Sequence, residues 1–295
     1  MKLTKAQVKD LNYQYLPLLT VKNAGEYVSN SAKRSARIRR RLDCQLDLPY
    51  GDTTGQMLDV FPGCSKNAPV HVFIHGGYWR AAHINKSVYS HIAGPLVAAG
   101  ATVVLLDYDL CPQVRIIDIV EQIRTAMIWI YINIEKYNGD RKRIFVSGHS
   151  AGGQLTAMMM ATDWWQQRRL PRDLIKGTVL LSGLFDIEPH RHTDLQQDIR
   201  LTAREAKAMS PMYFTPIAKG PSIVAVGENE PDLFHWQSLQ FSAQLRLHRI
   251  KAKYISMPGD NHFSITDRLG NAHDPLTKAL ISQMSNQGCR CSADP

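Results

Sequence analysis

The sequence contains no apolar run approaching the roughly 18–20 residues that a membrane-crossing helix needs, so no membrane partner is expected. Cysteine is sparse, with five in 295 residues. The number is odd: Cys44, Cys64 and Cys111 are scattered, and Cys289 and Cys291 sit in a polar tail. Neither a disulfide framework nor a zinc site is spelled out. Residues 1–16 also lack the continuous apolar core of a secretory signal, so a reducing cytoplasm is the expected compartment. There is no Walker-type phosphate loop and no dinucleotide fingerprint. No nucleic-acid-binding signature is present, and no pair of carboxylates can be picked out for glycoside chemistry. His190-Arg191-His192 has no further ligands beside it, whereas a metal site needs three or four. No cofactor, no metal and no nucleic-acid partner are therefore expected. Internal repeats and low-complexity segments are absent too.

What is present has the balance of a globular protein, 44% hydrophobic and 21% charged. The 35 basic residues outnumber the 26 acidic ones for a net charge of +9, and the excess is concentrated in Ser31–Leu42. Lys33, Arg34, Arg37, Arg40 and Arg41 recur at spacings of three and four, which places them on one helical face. A solvated amphipathic helix is the expected outcome.

Apolar, β-branched runs alternate with helical stretches. Val70–Ile74, Thr102–Leu106, Ile144–Ser147, Thr178–Ser182, Ser222–Val226 and Lys253–Ser256 read as strands, the central ones nearly continuous in hydrophobicity. Lys86–Ala99, Ile117–Asn138, Ser150–Thr162 and Phe234–Ile250 read as helices. Gln45–Leu48 and Met57–Phe61 flank a turn at Gly51–Gly55 and resemble a hairpin. The alternation predicts an α/β fold, a mostly parallel sheet with helices on both faces. It is expected as one domain over residues 1–285, followed by a disordered tail at 286–295. Residues 1–43, helical and basic, and the polar insertion 186–216, with a helical piece near Ala203–Met209, break the rhythm. Both are expected to roof a site as a small lid.

Three motifs carry chemistry. Gly148-His149-Ser150-Ala151-Gly152 follows a strand and opens a helix, the context in which a G-x-S-x-G serine becomes a nucleophile. Small neighbours let the chain turn sharply so that the hydroxyl projects, and the helix amino terminus behind it favours developing negative charge. His75-Gly76-Gly77-Tyr78-Trp79 follows the strand Val70–Ile74. Its glycines allow close backbone approach, so amides of Gly76, Gly77 and Tyr78, with that of Ala151, are candidates for an oxyanion hole. His75 is expected to brace this loop rather than to react. The third is His262, in a Gly-containing loop after the last strand. Serine is a weak nucleophile until a neutral imidazole takes its proton. Among eleven histidines, His262 is favoured by the chain order Ser, acid, His that accompanies such a serine turn. His149 is expected to point away from the site. The acid belongs just past Ser222–Val226, where Glu228, Glu230 and Asp232 all qualify. Glu230 is taken first and Asp232 next. Tyr78, Trp79 and Gly153, with the 186–216 insertion, are expected to wall the substrate pocket.

Taken together, these residues resemble the kynurenine formamidase (arylformamidase) branch of the α/β-hydrolases, near the hormone-sensitive-lipase type of esterases. The resemblance rests on His75–Trp79, on Gly148–Gly153, on Tyr108-Asp109-Leu110-Cys111-Pro112 and on the hairpin Leu46–Asp52. It runs from about residue 11 to the His262 region. It implies the α/β-hydrolase fold. It also places the acid just before a stretch similar to Pro231-Asp232-Leu233-Phe234-His235-Trp236-Gln237-Ser238, and so at Glu230. Animal members carry Asp there, so Glu is a departure in residue type that the fold accepts. The implied reaction is hydrolysis of N-formyl-L-kynurenine to L-kynurenine and formate through a formyl-enzyme. A short-chain carboxylesterase is the alternative. A non-catalytic basic binding protein of the same fold is a third reading, disfavoured because it has no need of the serine, the histidine and the oxyanion glycines at once. The expected partner is a small-molecule substrate, and a homo-oligomer is left open.

Overall fold

The β-branched runs all enter a single eight-stranded sheet. In chain order the strands are β1 (Gln45–Pro49), β2 (Met57–Phe61), β3 (Ala68–Ile74), β4 (Thr102–Leu106), β5 (Gly139–His149), β6 (Ile175–Leu181), β7 (Ser222–Gly227) and β8 (Ala252–Met257). The structure, a computed structural model, describes residues 3–285, so the tail at 286–295 lies outside the described residues. In space the strands follow the order β1-β2-β4-β3-β5-β6-β7-β8. β1 and β2 pair antiparallel with each other, and β2 pairs antiparallel with β4. Every pairing from β4 to β8 is parallel. The fold is that of an α/β-hydrolase.

The helices are α1 (Lys5–Tyr15), α2 (Ala24–Arg41), α3 (Ala93–Ala98), α4 (Ile116–Asn133), α5 (Ala151–Ala161), α6 (Trp164–Arg168), α7 (Gln196–Ile199), α8 (Ala203–Ala208), α9 (Asp232–Leu247) and α10 (Pro275–Ser285). They cover both sheet faces, which is why the central strands are apolar throughout rather than alternating. Val70, Val72 and Ile74 of β3 pack into one core with α4 and α5, whereas Phe73 packs into the other with Leu96 of α3 and Leu276 of α10. The inward stripe of α4 follows the helical period through Ile116, Ile119, Val120, Ile123, Met127 and Ile130, all buried. α5 is buried on every side up to Met160, as a helix behind a sheet edge and under an insertion must be.

Two helices differ from the sequence expectation. Lys86–Ala99 is not one helix: a 3-10 segment spans Lys86–Ile92 and only then does α3 begin. Pro95 lacks an amide to continue an upstream helix. The long helix α4 stops at Asn133, passes into a 3-10 turn, and reaches Asn138 in the left-handed region with φ 64°.

The basic stretch is the second half of α2. Its inner face is small and polar: Ser35 is fully buried and donates to the Val88 carbonyl at 2.7 Å, and Ser31 bonds Asp267. Arg34 pairs with Asp267 and Arg39 reaches the Ser87 carbonyl, while Lys33, Arg37, Arg40 and Arg41 are exposed. These contacts fasten α2 to the 3-10 segment Lys86–Ile92 and hold its first half over the carboxyl ends of the strands.

Candidate active site

In a sheet of this topology the loops that follow parallel strands gather at one edge. The loops after β3, β5, β7 and β8 carry His75–Trp79, Ser150, Glu230 and His262 respectively. β5 runs through His149, and Ser150 takes φ 56° and ψ −118° before α5 starts at Ala151. This turn requires glycine on either side. A Cβ on Gly148 would lie 2.1 Å from the Gly152 carbonyl oxygen, and one on Gly152 would lie 2.0 Å from that of Ile74. The Ser150 amide is held by the Leu181 carbonyl at 2.8 Å. Its Oγ, by contrast, is buried with no hydrogen-bond partner among the described residues.

His262 is buried, and its Nδ1 lies 2.6 Å from Glu230 Oε2. The other Glu230 oxygen accepts from the Gly227 amide at 2.7 Å and from the Ser182 hydroxyl. Glu230 is thus fixed on both oxygens, with its side chain fully enclosed. The two competing carboxylates face elsewhere: Asp232 is exposed at the start of α9, and exposed Glu228 accepts from the Gly259 amide at 2.8 Å.

Ser150 and His262 line one cavity of about 570 Å³. Gly77 and Tyr78 line it too, with φ values of 104° and 51°. Their amides, and that of Ala151 in the first turn of α5, donate to no protein acceptor among the described residues. The loop behind them is braced by the imidazole of His75. Its ring stacks on Tyr108 with centroids 4.4 Å apart, Nδ1 lies 2.7 Å from the Gly76 carbonyl, and Nε2 is 3.1 Å from Asp107 Oδ1. Tyr108 donates to the His75 carbonyl at 2.8 Å. Asp107 in turn accepts from the Lys86 amide at 2.7 Å, and the buried Lys86 ammonium sits 2.9 Å from Asp59 Oδ1. Sequence reasoning missed Lys86 and Asp59. The available signal was a carboxylate inside the apolar strand Met57–Phe61.

Four sequence expectations are corrected. His149 does not point away: its ring lines the cavity 4.6 Å from the His262 ring, and its Nε2 bonds the His262 carbonyl at 2.8 Å. Burial, and secondarily the neighbouring His262, push its pKa well below the ordinary imidazole value. It therefore stays neutral and donates from Nε2.

Trp79 is not a cavity wall. It is completely buried, and its Nε1 donates to Gln154 Oε1 at 3.1 Å, tying the loop to α5. Gly153 also lies away from the cavity, packed so that an added Cβ would sit 2.8 Å from Gly183 Cα.

Of the expected roof, only the amino-terminal segment reaches this cavity, through Leu18, Ala24, Val28 and Ser29; no residue of 186–216 lines it. The insertion packs around Trp79 and α1 instead: His190 lies against Tyr15 and Trp79, and Met209 accepts from Gln154. Among the described residues no cluster of three or more potential ligands is placed to hold a metal, and no helix is long and apolar enough to cross a membrane.

Residues 71–265 match the model of the alpha/beta hydrolase fold family. The chain is 31% identical over 265 residues to the kynurenine formamidase of Danio rerio, covering 88% of each chain. It is also 29% identical to the esterase LipC of Mycobacterium tuberculosis, covering 83% of this chain and 65% of that one. Among solved structures, a putative thioesterase from Silicibacter sp. TM1040 superposes with a TM-score of 0.81 at 26% identity, covering 92% of this chain and 97% of that one. The chain belongs to the α/β-hydrolase family, on the branch that holds the kynurenine formamidases, and is a serine hydrolase acting on a small molecule.

Proposed function

We propose that the protein hydrolyses small-acyl amides and esters through an acyl-enzyme on Ser150, and that its substrate is N-formyl-L-kynurenine or a close aromatic formamide. The observation that carries this reading is the Glu230–His262 pair at 2.6 Å, opening on the same cavity as an unpartnered Ser150 hydroxyl.

Ser150 Oγ attacks the acyl carbon while His262 Nε2 takes its proton. Glu230 keeps the Nδ1 proton in place and stabilises the imidazolium. The carbonyl oxygen becomes an oxyanion facing the amides of Gly77, Tyr78 and Ala151. Collapse of this intermediate breaks the bond to the leaving group, which departs with the proton from His262. A water, deprotonated by the same imidazole, then releases the acid and regenerates Ser150.

The formamide assignment is supported by the kynurenine formamidase relatives, and the esterase alternative by relatives such as LipC. Turnover of formyl, acetyl, butyryl and hexanoyl esters of one phenol, alongside N-formylkynurenine, separates the two. A formamidase site fits the smallest acyl group closely, and each added pair of methylenes then costs about 1–3 kcal/mol of overpacking. kcat/KM should fall by roughly ten- to a hundredfold per unfavourable step. A profile that peaks at hexanoyl would reject the formamidase and leave the esterase.

A further inference from the structure

The cavity over Ser150 is electrostatically one-sided. Among the described residues its lining holds imidazoles, hydroxyls and apolar groups, no carboxylate, and a single permanently charged side chain, Arg80. Glu230 is screened from it behind His262, with both oxygens bonded. Arg80 directly follows Trp79, whose burial and bond to Gln154 anchor that end of the loop. The guanidinium is partly exposed and held from one side, Nη1 lying 2.6 Å from Asp198 Oδ2; it makes no other hydrogen bond among the described residues. A guanidinium carries five N–H donors in a rigid fork that matches a carboxylate, so most of that fork is uncommitted. Asp198 belongs to the 186–216 insertion. That segment therefore meets the cavity lining through this ion pair with Arg80 and lines no part of the cavity itself.

We infer that Arg80 is a specificity-determining residue that binds a carboxylate on the leaving group, so that the enzyme selects aromatic amides or esters bearing an acidic tail. This rests on reading the Ser150 cavity as the substrate site. It does not depend on which acyl group is preferred.

The test uses three acetates with nearly the same phenol leaving group: 3-(4-acetoxyphenyl)propanoate, its primary amide, and 2-(4-acetoxyphenyl)ethylammonium. For the wild-type enzyme, kcat/KM should favour the propanoate over the amide by about tenfold or more, the scale of a hydrogen bond to a charged group, with the ammonium compound the poorest. The preference should lie mainly in KM and weaken with added salt. Arg80→Gln should bring the propanoate-to-amide ratio close to one, and Arg80→Lys should restore part of it. A general folding defect lowers all three substrates together and leaves the ratio intact.

Calorimetric affinities of 3-phenylpropanoate and 3-phenylpropanamide give the same comparison without turnover. A wild-type ratio near one, or a ratio that Arg80→Gln leaves unchanged, would overturn the inference. Because every substrate is an acetate, that failure is distinct from failure of the formamidase reading, which the acyl-length series decides.

Discussion

His149 Nε2 lies 2.8 Å from the backbone carbonyl of His262, so the residue preceding Ser150 in sequence also holds the loop that carries the facing imidazole. Two elements that must stay in register are thereby joined across 113 residues. His149→Phe keeps a ring but removes the donor. It should lower kcat by roughly ten- to a hundredfold, the usual penalty for a reacting group displaced by about 1 Å. Wild-type kcat in this variant would show that the bond does not position His262.

Ser150→Ala removes only the attacking oxygen, whose hydroxyl makes no structural hydrogen bond among the described residues. Turnover should drop on the order of 10⁴-fold or more with unfolding unchanged. Active-site titration with a fluorophosphonate should label the wild type and not the variant. Retained turnover would assign the nucleophile elsewhere.

Glu230→Gln should reduce kcat on the order of 10³–10⁴-fold, since the amide cannot hold the Nδ1 proton or offset the imidazolium charge. Glu228→Gln and Asp232→Asn, both at exposed residues, should leave kcat within the same order of magnitude, since Glu230 already holds His262 Nδ1. Steady-state kinetics on the three variants ranks them, and a larger loss at Asp232 would shift the acid.

Acid should destabilise the fold through its buried histidines. Burial lowers His71 and His190 to about 3 and His91 to about 4, and it also lowers His149. The unfolded chain takes up these protons near pH 6.5 while the native state refuses them, so unfolded molecules bind more protons and stability falls as the pH is lowered. The contribution is complete above the unfolded value and is lost progressively from about pH 6.5 down toward 4. Each histidine adds up to about 1.4 kcal/mol per pH unit in that window. Urea midpoints at pH 7.5, 6.5, 5.5 and 5.0 measure this, and a flat series would mean that these rings are solvated.

Trp79→Phe tests whether this indole is structural. Losing its bond leaves Gln154 Oε1 without that donor in a fully buried place, at a cost of about 1–3 kcal/mol. Chemical denaturation should register the loss, while KM for phenyl acetate should change little. A large KM effect without destabilisation would return Trp79 to the substrate wall.

Much of this molecule was legible in one dimension. The apolar runs marked six of the eight strands, and the hairpin supplied β1 and β2. Both local periodicities are set by backbone geometry, so they survive without knowledge of the partners. The turn at Ser150 was equally legible because its motif is contiguous: Gly148 is excluded from bearing a side chain by the nearby Gly152 carbonyl, although the room at Gly152 is set by Ile74 on the neighbouring strand. Tertiary structure decided what depends on distant surfaces. Trp79 and Tyr78 are adjacent and both aromatic, yet one is sealed against Gln154 and the other lines the cavity, because neighbours brought from α5 and α1 decide which way each ring can be satisfied. Choosing among Glu228, Glu230 and Asp232 likewise needed the third dimension. All three lie within five residues, but only Glu230 meets Ser182, Gly227 and His262 at once. The sequence named the chemistry because bond geometry is written locally. Burial and orientation waited on the fold, because they are properties of pairs of residues that the chain keeps far apart.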